Sequence, residues 1–329
     1  MKKLINSPDT LLAESLDGFA AAHADIVALG DDRKFVRRRS LTQGKVALVS
    51  GGGSGHEPLH AGFVGHGMLD AACPGQVFTS PTPDQMIAAA EAVDTGAGCL
   101  FIVKNYEGDI MNFDMAREMA SRKIETVLTD DDVAVENSLY TTGRRGVAGT
   151  LIVERIVGAA AEQGLALDDL KSIGSWVNGR TRSMGVALTS CTVPAAGKPT
   201  FAIGDNEMEM GVGIHGEPGR RRVALAPAQA IAKEMVETIV ADLKPAAGSP
   251  VLLFVNGFGG TPAMELYLVY ENARRLAEKA GLKIARSLVG SYVTSLDMAG
   301  CSITISMMDD NLVKLWDAPV HTAALRWAM

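Results

Sequence analysis

Two glycine-rich segments of this 329-residue chain each hold a histidine suited to acid–base or nucleophilic chemistry. In "VSGGGSGHEP", His56 follows a glycine run that includes Gly53, Ser54 and Gly55, and in "GIHGEPG", His215 is preceded and followed by glycine-rich sequence. Glycines permit positive φ angles and let a ligand lie against bare main-chain N–H groups. A neutral imidazole is both a proton acceptor and a nucleophile near physiological pH. Both segments therefore predict contacts with a small ligand.

Glycine loops after strands often bind phosphate, so the first segment is compared with two nucleotide-binding patterns. The Walker pattern requires glycine and lysine five and six positions after its first glycine, but from Gly51 these positions hold His56 and Glu57. The dinucleotide pattern GxGxxG, started at Gly51, likewise has His56 in place of its last glycine. The sequence thus favours a small ligand over a nucleotide. A tight turn whose histidine caps the next helix is the alternative.

An acid and an amine follow a second apolar run. In "GCLFIVKNYEGDIMNFD", Lys104 and Asp109 come after a predicted buried strand, at the end where ligands bind in open parallel sheets. Asp109 is therefore a candidate general base, although it is equally suited to cap a helix. The acidic run at 130–132 is expected to open a loop or cap a helix, with a divalent metal as the alternative. Surface or core roles are predicted for the other histidines, His23, His60, His66 and His321.

Composition narrows the class of protein. The net charge of −7 argues against a nucleic-acid partner, because phosphate neutralisation needs a concentrated basic surface. The densest basic run, 220–222, is expected to be a solvated loop. Neither a secretory leader nor a run of about 20 apolar residues is visible, so no membrane association is predicted. The cysteines have no CxxC spacing and indicate reduced thiols in the cytoplasm: Cys73, Cys99, Cys191 and Cys301.

Apolar runs of strand length alternate with helical periods, which predicts an α/β fold. "KVALVS" reads as a buried strand that ends in the glycine loop, and "PTPDQMIAAAEAV" as a helix with Thr82 and Gln85 in a capping box. Asn112 is the predicted cap of the next helix. Asn178-Gly179 is predicted as a turn, and the sequence after it has more of the apolar–polar alternation that is typical of strands. We therefore predict two α/β domains, an N-terminal one at 1–182 with the glycine loop and a C-terminal one at 183–329.

The segments "GGGSGHEP", "VKNYEGDIMNFDMA", "TGRRGVAGT" and "GIHGEPG", in this order and spacing, resemble the ketone-binding subunit K of dihydroxyacetone (glycerone) kinases. The resemblance covers essentially the whole chain. It implies a homodimer of two-domain protomers with the substrate site at the domain junction. It further implies that His215 bonds covalently to the substrate carbonyl as a hemiaminal and that His56 and Asp109 are catalytic. The implied substrate contacts are Gly53, Ser54, Gly55 and Lys104.

The implied chemistry fits these residue types. Dihydroxyacetone and glycerol share their terminal hydroxyls and differ at C2, where only the ketone can accept a nucleophile. A single imidazole can therefore discriminate dihydroxyacetone from glycerol, because it forms a covalent bond to C2 only in the ketone. Asp109 would accept the proton of the terminal hydroxyl, and His56 would assist as a second acid or base.

The resemblance also places the phosphoryl donor on another chain. It implies no cofactor on this chain, and ADP or ATP with magnesium on an L-type partner subunit, because the sequence ends at Met329 without a nucleotide-binding region. A phosphotransferase-type M subunit fed by phosphoenolpyruvate is expected as a second partner. The sequence leaves open a ketone sensor that acts on a transcription regulator, an ATP-fed kinase for a four-carbon ketose, and a metal-dependent hydrolase.

Overall fold

The computed structural model describes residues 2–135, 141–217 and 219–329, in which the chain divides into two compact units. Unit 1 comprises Met1–Leu128, Val153–Trp176 and Leu315–Met329, and unit 2 comprises Thr129–Ile152 and Val177–Lys314. This division differs from the predicted segments 1–182 and 183–329, because each unit is completed by residues distant in sequence. Residues 136–140, and Pro218 of the second histidine segment, lie outside the described residues.

Both units combine helices with a sheet, which confirms the α/β class. The helices of the described ranges are α1 (Leu11–Ala22), α2 (Pro83–Val93), α3 (Glu107–Met119), α4 (Gly149–Glu162), α5 (Leu167–Gly179), α6 (Ala228–Leu243), α7 (Ala263–Lys279) and α8 (Asp310–Asp317). The strands are β1 (Val27–Leu29), β2 (Val36–Arg38), β3 (Ala47–Ser54), β4 (Gly65–His66), β5 (Ala71–Val77), β6 (Cys99–Lys104), β7 (Ile124–Thr129), β8 (Thr181–Ala187), β9 (Glu207–Met210), β10 (Arg221–Ala224), β11 (Pro250–Gly257), β12 (Lys283–Gly290), β13 (Gly300–Met307), β14 (Val320–Thr322) and β15 (Arg326–Trp327).

The main sheet of unit 1 has the order β1-β2-β5-β3-β6-β7. Strand β3 is central and pairs in parallel with both β5 and β6. Its residues are buried throughout, as is usual for a parallel strand covered on both faces. Helices α2 and α3 cover part of this sheet, where Met86 and Phe113 join the apolar core with Phe101 of β6. The sheet therefore fixes the ends of β3 and β6, from which the candidate site residues emerge.

The glycine run is part of strand β3 rather than a loop after it. Pairing with β5 continues from Gly51↔Cys73 to Ser54↔Val77, whereas pairing with β6 ends at Ser50↔Ile102. The expectation that the strand ends at Ser50 is therefore wrong. Glycine lets the strand continue because neighbouring main chain lies close to it: a Cβ on Gly53 would lie 2.6 Å from the main-chain N of Thr79. The turn with positive φ comes at Gly55, where φ is 104°.

Local signals predicted some helix ends and missed others. The capping box of Thr82 and Gln85 at the start of α2 is confirmed. Helix α3 begins at Glu107, earlier than predicted, because Asn112 does not cap it but donates its side-chain amide to the carbonyl of Pro81. The predicted turn at Asn178-Gly179 is wrong, since both residues belong to α5. The earlier start of α3 places Asp109 within its first turn.

Unit 2 is built on a mixed sheet of order β10-β9-β8-β13-β11-β12, in which the β11–β12 pair is parallel. Helices α6 and α7 pack on it through apolar faces. Ile231, Met235 and Ile239 form a stripe on α6 that is buried in this core. None of the helices within the described ranges combines the length and apolar character that spanning a bilayer requires.

Candidate functional site

His56 is held against the turn that follows strand β5. Its side chain is buried and its ring stacks on that of Phe78, with 5.0 Å between the ring centroids and 18° between the planes. Phe78 has a positive φ of 56°, and its main-chain N–H donates to the carbonyl of Ser54 at 2.9 Å. The same turn passes over Gly53. The glycine strand and the Phe78 turn thus fix the ring of His56 in one plane.

The predicted contact residues Ser54 and Gly55 lie at the end of β3 with their polar groups engaged. The Ser54 hydroxyl donates to the carbonyl of Gly75 at 2.7 Å, so its oxygen keeps lone pairs to accept a hydrogen bond. The main-chain N–H of Gly55 donates to both carboxylate oxygens of Glu57, at 3.1 and 3.0 Å. This contact closes the turn that presents His56.

Lys104 and Asp109 come together as a buried ion pair. Nζ of Lys104 lies 3.5 Å from Oδ2 of Asp109, and the two side chains are 1% and 5% exposed. Nζ also donates to the carbonyl of Gly51 at 3.3 Å. In the part of the chain that the structure describes, Oδ1 of Asp109 is buried without a hydrogen-bond partner. One carboxylate oxygen thus faces the ammonium, and the other is available to accept a proton.

The pair continues into two further buried polar residues that the sequence did not single out for a functional role. Nε2 of His60 lies 2.9 Å from Nζ of Lys104, and its Nδ1 lies 2.6 Å from Oε1 of Glu154 on α4. The hydroxyl of Ser50 lies 3.0 Å from the same Nδ1 and donates to the carbonyl of Ile102. His60 is buried, and a core role is one of the two, surface or core, that were predicted for it. Its connection to Lys104 could not be inferred from its sequence context.

Burial determines the protonation states of His60 and Glu154. It lowers the pKa of His60 well below 6.5, assisted by electrostatic interactions with Lys104 and His56, so that His60 is neutral. Burial also raises the pKa of Glu154 to about 8, against the opposing effects of Lys104 and Ser50. A neutral imidazole that accepts from an ammonium at Nε2 must carry its proton on Nδ1. His60 therefore donates toward Glu154.

In unit 2, His215 lies on a tight loop that closes on Glu217. The main-chain N–H of His215 donates to Oε2 of Glu217 at 2.8 Å, and the ring Nδ1 lies 3.5 Å from Oε1. Gly216 has a φ of 75°, and a Cβ on Gly213 would lie 2.1 Å from the Glu217 carboxyl carbon. The side chain of His215 is 17% exposed, whereas that of Glu217 is 1% exposed. A buried carboxylate thus orients a partly accessible imidazole.

The charge of Glu217 is maintained by its neighbours. Burial acts to raise the pKa of Glu217, but its interactions with His215 and Arg145 lower it to about 2. A carboxylate beside Nδ1 favours the tautomer that carries its proton there and leaves the lone pair on Nε2. Nε2 of His215 then has a lone pair with which it can accept a proton or add to an electrophile.

The acidic run at 130–132 has the structural role that was favoured over metal binding. Asp131 accepts main-chain hydrogen bonds from Val147 and Gly149 at the start of α4, and Asp132 pairs with Arg145 at 2.6 Å. Across residues 2–135, 141–217 and 219–329, no group of three or more His, Cys, Asp or Glu side chains is arranged to hold a metal ion.

A search with family models and with curated proteins places the chain among known relatives. It is 49% identical over 328 residues to the protein named PTS-dependent dihydroxyacetone kinase 1, dihydroxyacetone-binding subunit DhaK, of Listeria innocua, covering 98% of this chain and 100% of that one. It is 48% identical to the PEP-dependent dihydroxyacetone kinase, dihydroxyacetone-binding subunit DhaK, of Escherichia coli, with 99% of each chain covered.

Among solved structures, the dihydroxyacetone kinase operon co-activator Dha-DhaQ superposes with a TM-score of 0.90 at 32% identity, covering 94% of this chain and 97% of that one. The model of the Dak1 domain matches residues 17–324, most of the length of this chain. By this match and by its full-length relatives, the chain belongs to the Dak1 domain family.

Proposed function

We propose that this chain is the ketone-binding subunit of a dihydroxyacetone kinase that receives its phosphoryl group from a partner subunit. The observation that carries the proposal is the state of Asp109, whose Oδ2 faces Lys104 while Oδ1 has no hydrogen-bond partner in the described part of the chain. A protein that only binds a ketone has no need of such a base. The names of the relatives at 48–49% identity support the same substrate.

The first step is addition of His215 to the ketone. Nε2 forms a bond to C2 of dihydroxyacetone, the C=O π bond breaks, and the carbonyl oxygen takes up a proton from solvent. Bond formation makes the ring proton on Nδ1 more acidic, and Glu217, which lies 3.5 Å away, accepts this proton and releases it to solvent. The product is a neutral hemiaminal that glycerol, which has no carbonyl, does not form. The bond also fixes the substrate in one pose and lowers the entropic cost of the second step.

The second step is transfer of the phosphoryl group to a terminal hydroxyl. Oδ1 of Asp109 accepts the hydroxyl proton as the oxygen attacks the terminal phosphorus of a nucleotide, and the nucleoside diphosphate leaves. His56 assists as a second acid or base. Main-chain groups from Gly53 to Gly55 and the Lys104 ammonium surround the polar substrate.

The nucleotide and its magnesium ion are proposed to lie on an L-type subunit, rephosphorylated by a phosphotransferase-type M subunit at the expense of phosphoenolpyruvate. The words "PTS-dependent" and "PEP-dependent" in the names of the relatives support this donor over a direct supply of ATP. We further propose a cytoplasmic homodimer.

Intact-protein mass spectrometry tests the proposal. Incubation with dihydroxyacetone is expected to add the full mass of the ketose without loss of water, and His215→Ala is expected to abolish the addition. Asp109→Asn is expected to keep the adduct but to reduce turnover with the partner subunits. An unmodified wild-type protein, or full turnover by Asp109→Asn, would contradict the proposal. Parallel incubation with erythrulose separates a three-carbon from a four-carbon preference.

Ketone sensing is a second candidate function, favoured by the TM-score of 0.90 with the co-activator. Such a protein would form the same adduct and act on a transcription regulator. Purified L-type and M-type subunits with phosphoenolpyruvate decide between the two, because a sensor would show the adduct without phosphorylating the ketone.

A further inference from the structure

A row of buried side chains in unit 1 reaches from helix α4 to the proposed base. It runs from Glu154 through His60 and Lys104 to Asp109, with successive separations of 2.6, 2.9 and 3.5 Å. The proposed reaction uses Asp109 and Lys104 and leaves His60 and Glu154 without a role. Their side chains are 4% and 0% exposed.

We propose that His60 and Glu154 are a positioning pair that holds the Lys104 ammonium beside Asp109 during phosphoryl transfer. The inference rests on the proposed function, in which Asp109 is the base. Neither residue touches the ketone in this scheme. They act through Lys104.

The hydrogen-bonding capacity of Lys104 supports this role. An ammonium has three N–H donors and no acceptor. Three acceptors surround Nζ: the Gly51 carbonyl at 3.3 Å, Nε2 of His60 at 2.9 Å and Oδ2 of Asp109 at 3.5 Å. His60 provides the shortest of these contacts. Its loss would leave the buried ammonium short of one acceptor and free to move from Asp109.

The orientation of His60 depends in turn on Glu154. A histidine can accept from Lys104 at Nε2 only while its proton is on Nδ1, and a partner at Nδ1 that accepts this proton stabilises that tautomer. Oε1 of Glu154 is this partner at 2.6 Å. The titratable groups that face His60 are Glu154, Lys104 and His56, and the low pKa of His60 keeps it neutral over the working range.

Burial of these polar side chains lowers the stability of the fold, which argues against a purely structural role for the row. An unpaired buried polar atom costs about 1–3 kcal/mol, and in the described part of the chain Oε2 of Glu154 is such an atom. The chain also keeps glycine at position 52, where a Cβ would lie 2.3 Å from Nζ of Lys104. Both features are explained if the position of the ammonium, rather than the packing of the core, is what the row maintains.

A matched pair of substitutions at His60 tests the inference. Gln places an amide group near the position of Nε2 and retains an acceptor for Lys104, whereas Asn places its amide near Nδ1 and does not. With L-type and M-type subunits present, His60→Asn is expected to lower kcat by about 10- to 100-fold, within the range that general-base help provides. It is also expected to displace the acidic limb of the pH profile of kcat, because the Lys104 ammonium is no longer held beside the proposed base.

The outcomes separate this inference from the proposed function. His60→Asn is expected to form the His215 adduct as the wild type does, and His60→Gln is expected to recover most of kcat and the wild-type limb. Identical pH profiles for His60→Asn and His60→Gln would overturn the inference while leaving the proposed function intact. A wild type without adduct or turnover would instead contradict the proposed function.

Substitutions at Glu154 give a second, independent test if His60→Asn does not fold. Glu154→Gln keeps an acceptor for Nδ1 of His60, and Glu154→Met removes it, so the same loss of kcat and shift of the limb are expected for Met and not for Gln. Equal profiles for these two variants would also overturn the inference. His66→Asn is the control for the same side-chain change in another histidine–glutamate pair, since His66 lies 3.5 Å from Glu162 and is 37% exposed.

Discussion

The carboxylate of Glu217 accepts the main-chain N–H of His215 at 2.8 Å and lies 3.5 Å from Nδ1 of its ring. The two contacts have different chemical requirements. A neutral amide oxygen can still accept the main-chain N–H, but it lacks the charge that favours a proton on Nδ1. The role of the charge can therefore be tested apart from the shape of the loop.

Glu217→Gln is expected to slow formation of the His215 adduct by about tenfold, because a charge-assisted contact is roughly twice as strong as a neutral one. Time-resolved intact-protein mass spectrometry with dihydroxyacetone measures this rate. Glu207→Gln is the control, since Glu207 also accepts a main-chain N–H, from Gly204 at 2.9 Å, away from His215. Adduct formation at the wild-type rate in Glu217→Gln would show that the charge is not needed.

The buried Glu154 predicts an unusual dependence of stability on pH. Its pKa is raised from 4.5 to about 8 in the folded protein by burial, so between these values the folded state holds a proton that the unfolded chain has released. Stability contributed by this residue therefore falls as pH rises through this window. We expect the free energy of unfolding of Glu154→Gln, measured with denaturant, to rise relative to that of the wild type as the pH increases from 5 to 8. Parallel curves would contradict this, and Glu118→Gln controls for loss of an exposed carboxylate.

Gly52→Ala is expected to reduce turnover more than stability. The added Cβ would lie 2.3 Å from Nζ of Lys104, the movable end of a long side chain, so the ammonium shifts while the strand remains. Gly51→Ala provides the contrast, because its Cβ would lie 2.6 Å from the fixed carbonyl oxygen of Cys73 and is expected to cost about 1–3 kcal/mol of stability. Steady-state kinetics and thermal unfolding of both variants make the comparison. Equal losses of stability would contradict it.

The stacking of Phe78 on His56 predicts a catalytic effect from a residue without reactive groups. Phe78→Leu removes a ring contact worth about 0.5–1.5 kcal/mol and frees the imidazole to rotate, so turnover is expected to fall by up to about tenfold. Phe78→Tyr retains the ring and is expected to retain activity. The His215 adduct should form equally in both variants. Full turnover by Phe78→Leu would show that His56 needs no such support.

Sequence reasoning succeeded where the signal was local. The apolar run before Gly51 and the capping box at Thr82 each correspond to an element that the structure contains. His56 and His215 were singled out because glycines surround them, and their roles are part of the proposed function. Each of these signals spans fewer than about 20 residues, so it reports on contacts that the chain makes with itself nearby.

The rest depends on contacts between distant parts of the chain. Glu154 meets His60 across 94 positions in sequence, and it belongs to a helix whose apolar pattern gives no reason to single it out. The continuation of β3 through its glycines depends on pairing with β5. The assignment of residues 315–329 to unit 1 likewise depends on contacts with residues that are distant in sequence. Glu217 was within the quoted motif, but its role follows only from the closure of the loop.

The uneven pairing of strand β3 has a consequence for the proposed binding of the ketose. From Gly51 to Ser54 the strand stays bonded to β5 after its ladder with β6 has stopped. In the proposed site, main-chain groups at this end of the strand contact the hydroxyl groups of the ketose. Substitution of the surrounding side chains would leave such main-chain contacts in place, whereas a Cβ on Gly53 would lie 2.6 Å from the main-chain N of Thr79.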